Sequence, residues 1–237
     1  MRQLKQRCRI KGKQKELIEI QTRQCQPQGG IEMKQFNSNG LVWWCEEEII
    51  KRDCIIKQLV CDVKDIFFSL NPAINIIRIE TPCLEPYDWK KKDMPCYTIN
   101  NRYSLRAEST RGTYRIMDEC RYRLPVCLYQ VNKSFRDETS KAIRLSHYRL
   151  REFYQLEFQL FYTEDTKCDY HTEIINKLAG KWGRQEPSDT LPNYSVKTTD
   201  LIINNVEIAS ISTRKDYKLP VLEISFGLDR LVLCKEI

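Results

Sequence analysis

Three stretches in the second half of the chain alternate polar and apolar residues, and this pattern constrains the fold more than any other feature. The stretches are 126–136, 151–162 and 222–226. A period of two sends successive side chains to opposite faces of a strand. Antiparallel sheets commonly combine one packed face with one polar face. We therefore expect an antiparallel sheet whose apolar face packs against helices.

The polar positions of these stretches share a composition that is unusual for a solvated face. They are Gln130, Asn132, Ser134, Arg136, Arg151, Phe153, Gln155, Glu157, Gln159, Glu223 and Ser225. The simplest interpretation is a face that meets only solvent. Solvated faces usually mix Lys, Thr and Glu, whereas this one repeats Arg, Glu and Gln around one Phe. The composition favours a polar binding surface.

The first half of the chain predicts a long helix followed by a strand. Apolar residues recur at helical spacing over 41–70, and Asn71-Pro72 ends the helix. Residues 74–79 then predict a strand that runs into Thr81-Pro82, and 85–94 predicts a polar loop. With 237 residues, the chain is long enough for one large domain.

Charge and hydropathy indicate a soluble protein, for which we expect a cytoplasmic location. No apolar run approaches the roughly 18 residues of a membrane span, and a charged N-terminus replaces the apolar core of a signal peptide. The net charge is +7, and seven basic residues crowd the first fifteen positions, from Arg2 to Lys15. Such a segment is either a solvated terminus or an arm that binds phosphates.

The cysteines and histidines do not predict a metal centre or a nucleophilic triad. The chain has 11 Cys with no Cys-x-x-Cys pair, which favours reduced thiols, most of them in the core. The two histidines, His147 and His171, are predicted to be exposed loop residues. No glycine-rich phosphate loop is present.

Arginines near carboxylates remain as the candidates for chemistry. They are Arg106 with Glu108, Arg136 with Glu138, Arg151 with Glu157, and Arg214 and Arg230. The arginine fork matches phosphate oxygens, and a carboxylate can hold Mg²⁺ or an ammonium group. Such a site catalyses by positioning and charge stabilisation. The alternative is a set of surface ion pairs.

Three further segments resemble, in order, the motifs of class II aminoacyl-tRNA synthetases. The long helix with Ile79-Glu80-Thr81-Pro82 resembles motif 1. Phe135-Arg136-Asp137-Glu138 followed by Arg149-Leu150-Arg151-Glu152-Phe153 resembles motif 2, and Ser225-Phe226-Gly227-Leu228-Asp229-Arg230 resembles motif 3. The resemblance implies an α+β fold with an antiparallel sheet of six or seven strands flanked by helices.

Within that class the chain is most similar to the glycyl-tRNA synthetases. Residues 105–112 resemble Leu-Arg-Pro-Glu-Thr-Ala-Gln-Gly, with Ala107 in place of proline. Residues 207–217 resemble Glu-x-x-Gly-Ile-Ala-Asp-Arg-x-x-Tyr, but the central part here is Ser210-Ile211-Ser212-Thr213-Arg214. Residues 222–225 resemble Ile-Glu-Pro-Ser. These departures alter the polarity expected for the pocket.

The resemblance implies a role for each candidate residue. Arg136 would bind the α-phosphate of ATP, Glu138 would contact the adenine amino group, and Phe153 would stack on the ring. Arg230 would hold the γ-phosphate, and Glu207 would contact Mg²⁺ or the ribose. Those that would surround the amino acid are Glu108, Glu157, Arg214, Glu223 and Ser225. A cage of carboxylates suits a small ammonium compound.

The implied function is ATP-dependent activation of glycine, or of another small amino acid, and its transfer to a tRNA 3′ end or another acceptor. We expect a basic N-terminal segment over 1–36 and a catalytic domain over 37–237, without a C-terminal anticodon-binding domain. A homodimer through the region near Pro82 is expected. The alternative is a non-catalytic relative that binds nucleic acid or a polymerase, as the accessory subunit of the mitochondrial DNA polymerase does.

Overall fold

The fold centres on a seven-stranded sheet in the computed structural model, which describes residues 36–86, 96–146 and 148–234. Its strands, together with those of two small sheets, are β1 Phe36–Ser38, β2 Leu41–Trp43, β3 Asn75–Arg78, β4 Leu84–Pro86, β5 Thr98–Ile99, β6 Tyr103–Leu105, β7 Val126–Phe135, β8 Glu152–Phe161, β9 Arg184–Pro187, β10 Ser195–Ile203, β11 Val206–Arg214 and β12 Val221–Gly227. The predicted basic segment 1–36 lies almost wholly outside the described residues.

The large sheet has the order β3-β7-β8-β12-β11-β10-β9. All neighbouring pairs are antiparallel except β3 and β7, which run parallel. The prediction of an α+β fold with six or seven strands is therefore confirmed, with one parallel pair at the edge. The hairpin β1–β2 and the three-stranded sheet β4-β6-β5 lie outside this sheet.

Five described helices accompany the strands. They are α1 Glu46–Leu70, α2 Thr110–Cys120, α3 Ser140–Leu145, α4 Tyr170–Leu178 and α5 Leu228–Cys234. None of them is long and apolar enough to cross a membrane. The predicted polar loop over 85–94 is partly wrong, because Leu84–Pro86 forms β4 and pairs with β6. Residues 87–95 lie outside the described part of the chain.

The long helix was predicted from residue 41, but it begins at Glu46. Cys45 is the N-cap with extended backbone, and the Glu48 carboxylate accepts a hydrogen bond from the Cys45 amide at 3.1 Å. Three glutamates in the first turn also favour a helix start here. The helix ends at Leu70 as predicted, where Asn71 Oδ1 accepts from the Ala73 amide at 3.0 Å.

The apolar face of the sheet packs against α1. The buried residues Ile55, Leu59, Val63 and Phe67 recur every four positions along α1 and form one stripe. They belong to a core that includes the apolar side chains of β8, β11 and β12, namely Leu156, Phe158, Leu160, Ile211, Leu222, Ile224 and Phe226. The alternation read from the sequence therefore marks the packed face correctly, and the polar side chains point the other way.

Most described cysteines lie outside the core, contrary to prediction. Nine described cysteines carry free thiols, but Cys127 alone among these nine is buried, while Cys61, Cys83 and Cys120 are exposed. The face of a helix or strand on which a cysteine lies decides whether it is buried. Cys61 follows buried Leu59 by two residues on α1 and therefore points away from the core stripe. Apolar neighbours in sequence do not show on which face a residue lies.

The prediction of an exposed loop for His171 is also wrong. Asp169 caps α4 by accepting from the Thr172 amide at 3.1 Å, so His171 enters the helix and faces the sheet. Its Nδ1 lies 3.1 Å from Thr213 Oγ1 and its Nε2 2.9 Å from Thr199 Oγ1. Burial, with a smaller contribution from Lys197, lowers the pKa of His171 to about 4. His147 lies outside the described residues.

Two adjacent phenylalanines test the packing of α1. Phe67 is fully buried and Phe68 is 64% exposed, so Phe67→Ala should lower the free energy of unfolding by about 3–5 kcal/mol. Phe68→Ala should change it by less than about 1 kcal/mol. Urea unfolding followed by circular dichroism measures both. Similar losses for the two variants would contradict the placement of this face.

Candidate active site

A cavity of about 340 Å³ opens over the polar face of the large sheet. Nine of the ten residues to which the resemblance assigns a role line this cavity. They are Glu108, Arg136, Glu138, Phe153, Glu157, Glu207, Glu223, Ser225 and Arg230. The tenth, Arg214, is not among the lining residues, and its side chain is 1% exposed.

Strand register explains why distant residues meet in this cavity. Glu157 on β8 pairs with Gln130 on β7 and with Ser225 on β12. Ser225 in turn pairs with Ser210 on β11. Residues that are directly opposite on neighbouring strands share a face, so a row of polar side chains crosses four strands.

One end of the cavity combines a cation with an aromatic ring. Arg136 directly follows β7, and its guanidinium carbon lies 5.1 Å from the centre of the Phe153 ring. Its Nε is buried and has no hydrogen-bond partner among the described residues. Buried polar groups normally have partners, so this arginine is suited to binding an anion. Glu138 lies nearby, with Arg149 Nη1 3.4 Å from its carboxylate.

The start of α5 supplies the second cation of the cavity. Asp229 accepts a hydrogen bond from the Tyr154 amide at 2.6 Å, which fixes α5 against β8. Burial raises the pKa of Asp229 to about 6. Arg230 follows, and its Nη1 donates to the Glu207 carbonyl at 2.7 Å and lies 3.4 Å from the Glu207 carboxylate. Its position depends on both β8 and β11.

The opposite end of the cavity is acidic. Arg214 donates through Nη1 to Glu223 at 2.9 and 3.0 Å. Its Nε and Nη2 donate to the two oxygens of Asp216 at 3.0 and 2.8 Å. Glu108 is farther away, at 3.5 Å from Nη2, and Glu157 accepts a hydrogen bond from Ser109. One guanidinium thus pairs with three carboxyl groups, and its charge also acts to lower the pKa of Glu157.

Burial and crowding favour the neutral forms of two of these acids. Burial, reinforced by the neighbouring charge of Glu223, raises the pKa of Glu157 to about 7. Burial also raises the pKa of Glu108, against the opposing attraction of Arg214. A cation entering the cavity would stabilise the charged form of both. This end is therefore suited to an ammonium group.

The arginine–carboxylate pairs inferred from proximity in sequence are wrong. Arg106 is 2% exposed and donates to the Lys133 and Thr81 carbonyls, each at 2.8 Å, so it links strands instead of facing the cavity. Glu138 pairs with Arg149, and Arg151 pairs with Asp137. Residues that are close in sequence therefore need not contact each other, because groups from other parts of the chain lie closer.

Several residues of the site were given no role in the sequence analysis. Ser109 and Thr110 donate to Glu157 and Glu223, and Gln159 Nε2 lies 3.2 Å from Glu223. Tyr194 lies over Arg214, with 3.9 Å from the guanidinium carbon to the ring centre. Only Gln159 had a signal, since it belongs to the alternating face of β8. The others come from the start of α2 and from a loop, where no periodicity operates.

The unusual residues at 210–213 acquire partners in the structure. Ser212 Oγ lies 3.0 Å from Thr198 Oγ1 on the neighbouring strand. Thr213 points to the other side of the sheet, where it contacts His171. Ser210 lines the cavity. Ser210 also forms a side-chain hydrogen bond with Asp200, its neighbour on β10, so all three positions satisfy hydrogen bonds within the protein.

The described residues contain no group of three or more His, Cys, Asp or Glu side chains arranged to hold a metal ion. Glu207, which the sequence marked for Mg²⁺, has a side chain that is 48% exposed at the cavity rim. Mg²⁺ is commonly bound by one or two carboxylates together with phosphate oxygens. Glu207 fits the protein share of such a site.

The chain matches a family model described as the tRNA synthetase class II core domain (G, H, P, S and T) over residues 96–219, about half of its length. The glycine–tRNA ligase of Deinococcus radiodurans is 30% identical over 48% of this chain and 26% of that relative. The glycine–tRNA ligase of Mycoplasmopsis synoviae is 30% identical over 54% of this chain and 38% of that relative. The chain thus spans well under half of the length of either relative.

Solved structures share the fold at low sequence identity. Prolyl-tRNA synthetase from Giardia lamblia, in complex with prolyl-adenylate, is 15% identical with a TM-score of 0.60, over 84% of this chain and 48% of that one. Pyrrolysyl-tRNA synthetase from Desulfitobacterium hafniense is 14% identical with a TM-score of 0.53, over 74% of this chain and 67% of that one. The fold predicted from the resemblance is confirmed.

The raised pKa of Glu157 predicts a specific pH dependence. Its carboxyl has a pKa of about 7 in the folded protein against 4.5 ordinarily, so the folded state binds more protons between those values and stability falls as pH rises. Glu157→Gln removes this penalty. Its free energy of unfolding, relative to that of the parent, should therefore rise by up to about 3 kcal/mol between pH 4 and pH 8.

Unfolding in urea at several pH values measures that difference. The groups facing Glu157 are Glu108, Glu223 and Arg214, and all remain in the variant. Ser225→Ala removes an uncharged group from the same cavity and should give a difference that does not depend on pH. An advantage of Glu157→Gln that grows as pH falls would contradict the prediction.

Proposed function

The chain belongs to the class II tRNA synthetase core family, and from this premise we propose that it activates glycine, or a similarly small amino acid, as an aminoacyl-adenylate with ATP. One observation carries the proposal: a single cavity has, at one end, an arginine whose buried Nε has no hydrogen-bond partner among the described residues and which lies beside an aromatic ring, and at the other end excess carboxylates. An amino acid with ATP presents the complementary charges, an ammonium group and a polyphosphate.

The cationic end would bind ATP. Arg136 would hold the α-phosphate, since its guanidinium is suited to paired phosphate oxygens, and Arg230 would hold the γ-phosphate. Phe153 would stack on the adenine ring, and Glu138 would accept a hydrogen bond from its amino group. All four residues line the same cavity, which supports this assignment.

The acidic end would bind the amino acid. Glu108, Glu157, Glu223 and Ser225 line it, with Arg214 beneath. Carboxylates around a small cavity would attract the substrate ammonium and leave little room for a large side chain. Glycine is favoured because the curated relatives are glycine–tRNA ligases.

The chemistry requires no nucleophile from the protein. A carboxylate oxygen of the amino acid attacks the α-phosphorus of ATP, and the bond to the bridging oxygen breaks, so that pyrophosphate leaves and the adenylate forms. Arg136 would stabilise the charge that develops on the α-phosphate oxygens. Mg²⁺, held in part by Glu207, would neutralise phosphate charge when bound.

The second half-reaction would transfer the acyl group to a hydroxyl at a tRNA 3′ end or another acceptor, with release of AMP. The basic residues from Arg2 to Lys15 would add affinity for a nucleic acid. A homodimer through the region near Pro82 belongs to the same proposal, as does a location in the cytoplasm. The acyl transfer, the homodimer and the location are proposed from family membership, and the affinity for a nucleic acid is proposed from the charge of the basic residues.

Amino-acid-dependent exchange of pyrophosphate into ATP tests the activation step. We expect exchange with glycine among the twenty amino acids, and a loss of at least about 100-fold in Arg136→Ala, because a preorganised charge at the reacting phosphate is removed. Arg115→Ala is the matched control, since Arg115 is exposed on α2 and pairs only with Glu119 among the described residues.

Other outcomes of this assay decide between functions. Exchange with a different amino acid would keep the reaction and overturn the assignment of the acidic end. A folded protein that neither exchanges pyrophosphate nor binds ATP would overturn the proposal and favour a non-catalytic binding module. Exchange that survives Arg136→Ala would contradict the role of this residue.

Phe153 provides a separate test of the nucleotide end. Stacking of a base on an aromatic ring contributes about 1–3 kcal/mol, so Phe153→Ala should raise the KM for ATP roughly tenfold or more. Phe153→Tyr keeps the ring and should stay near the parent value. The KM for glycine serves as the internal control, since Phe153 lies at the other end of the cavity. Equal effects on both substrates would contradict stacking.

A further inference from the structure

Arg106 is a buried cation to which the proposed function gives no role. The residue is 2% exposed, and among the described residues its side-chain hydrogen bonds go only to uncharged oxygens. A buried charge is costly unless it has partners. The location of those oxygens therefore indicates which parts of the chain the guanidinium stabilises.

Two segments supply the acceptors of Arg106. Its Nε donates to the Lys133 carbonyl on β7 at 2.8 Å. Its Nη1 donates to the Thr81 carbonyl at 2.8 Å, to the Thr81 hydroxyl at 2.9 Å and to the Pro82 carbonyl at 3.1 Å. The guanidinium therefore ties β7 to the segment that follows β3.

Arg106 also stands in for a neighbouring strand along the last residues of β7. The described part of β3 pairs with β7 only as far as Tyr129. Farther along β7, the Phe135 amide donates to the Arg106 carbonyl at 2.9 Å, and the Lys133 carbonyl accepts from the guanidinium. Residues 133–135 thus obtain from one arginine the hydrogen bonds that a strand would supply in a sheet.

The end of β7 leads directly into Arg136. On the other side of this segment, the Arg136 amide donates to the Arg151 carbonyl at 2.9 Å, so the backbone is held from both sides. The Nε of Arg136 is buried and has no hydrogen-bond partner among the described residues. The location of this side chain therefore depends strongly on its backbone.

We infer that Arg106 is a positioning residue for Arg136, because it fixes the end of β7 from which Arg136 extends into the cavity. The inference rests on the proposed function, in which Arg136 holds the α-phosphate. Arg106 acts through the backbone and does not contact the substrate. A small displacement of a group that acts on the reacting atoms can lower a rate by as much as about 100-fold.

A double-mutant cycle tests this role. Arg106→Lys keeps the charge, but an ammonium group lacks the planar fork that reaches Lys133 and Thr81 together. It should lower the maximal rate of pyrophosphate exchange at least about tenfold. In an Arg136→Lys background it should cost less than about threefold, because a flexible lysine tolerates a displaced backbone better. Equal losses in the two backgrounds would overturn the inference.

Two further variants control for a general loss of stability. Phe67→Leu alters the core on the other face of the sheet and should leave the exchange rate within about twofold of the parent. Thr81→Val removes one acceptor of Arg106 and provides a milder variant for the same cycle. It should cost about threefold with Arg136 present and nothing further in Arg136→Lys. Thermal unfolding shows which variants are folded at the assay temperature. A rate that falls as far in Phe67→Leu as in Arg106→Lys would overturn the inference.

Amide hydrogen exchange gives a readout that does not depend on activity. The Phe135 amide should exchange at least about tenfold faster in Arg106→Lys, whereas the Phe158 amide, on β8 between β7 and β12, should not change. Unchanged exchange at Phe135 would overturn the inference. Faster exchange at Phe135 in a protein that forms no adenylate would support the anchoring of β7 and count against the proposed function. Adenylate formation that Arg106→Lys does not slow would do the reverse.

Discussion

The buried guanidinium of Arg214 is the interaction on which the acidic end of the cavity depends. Four carboxyl groups lie near it, and taking such charges out of water is costly unless each has partners. Arg214 compensates Glu223 and Asp216 directly, and Tyr194 covers its face. Glu157 and Glu108 lack a pair as close as these, and burial raises the pKa of each against the attraction of Arg214.

The large sheet contributes apolar residues to the core from one face and polar residues to the cavity from the other. Each strand that sends Phe158, Ile224 or Ile211 into the core sends a polar residue into the cavity at the preceding position. A shift of one residue in register would exchange the two sets. The apolar packing against α1 therefore fixes the register that brings β8, β11 and β12 side chains together. Asp229 adds a direct bond between α5 and β8, which places Arg230 beside Glu207.

The sequence predicts the faces of strands better than it predicts contacts between residues. Alternation along β8 and β12 correctly separates Leu156 from Glu157 and Ile224 from Glu223, because period two is a geometric property of any strand. The same reasoning fails for Arg106 and Arg151, whose partners come from other elements. It fails for His171 because a capping bond from Asp169 turns an apparent loop residue into a helix residue that faces the sheet. Thr110 and Ser109 have no periodic signal, and their roles follow only from tertiary structure.

The two ends of the cavity complement each other in charge, and this arrangement favours one orientation of substrate. Arg136 and Arg230 flank the end that we propose binds the nucleotide, and Glu157 and Glu108 flank the other. A zwitterion entering between them lowers its energy when the ammonium faces the acids and the carboxylate faces the arginines. In that orientation the carboxylate oxygen points toward the place where Arg136 would hold a phosphate. The charge asymmetry would therefore orient the nucleophile, which is the main contribution a site without a protein nucleophile can make.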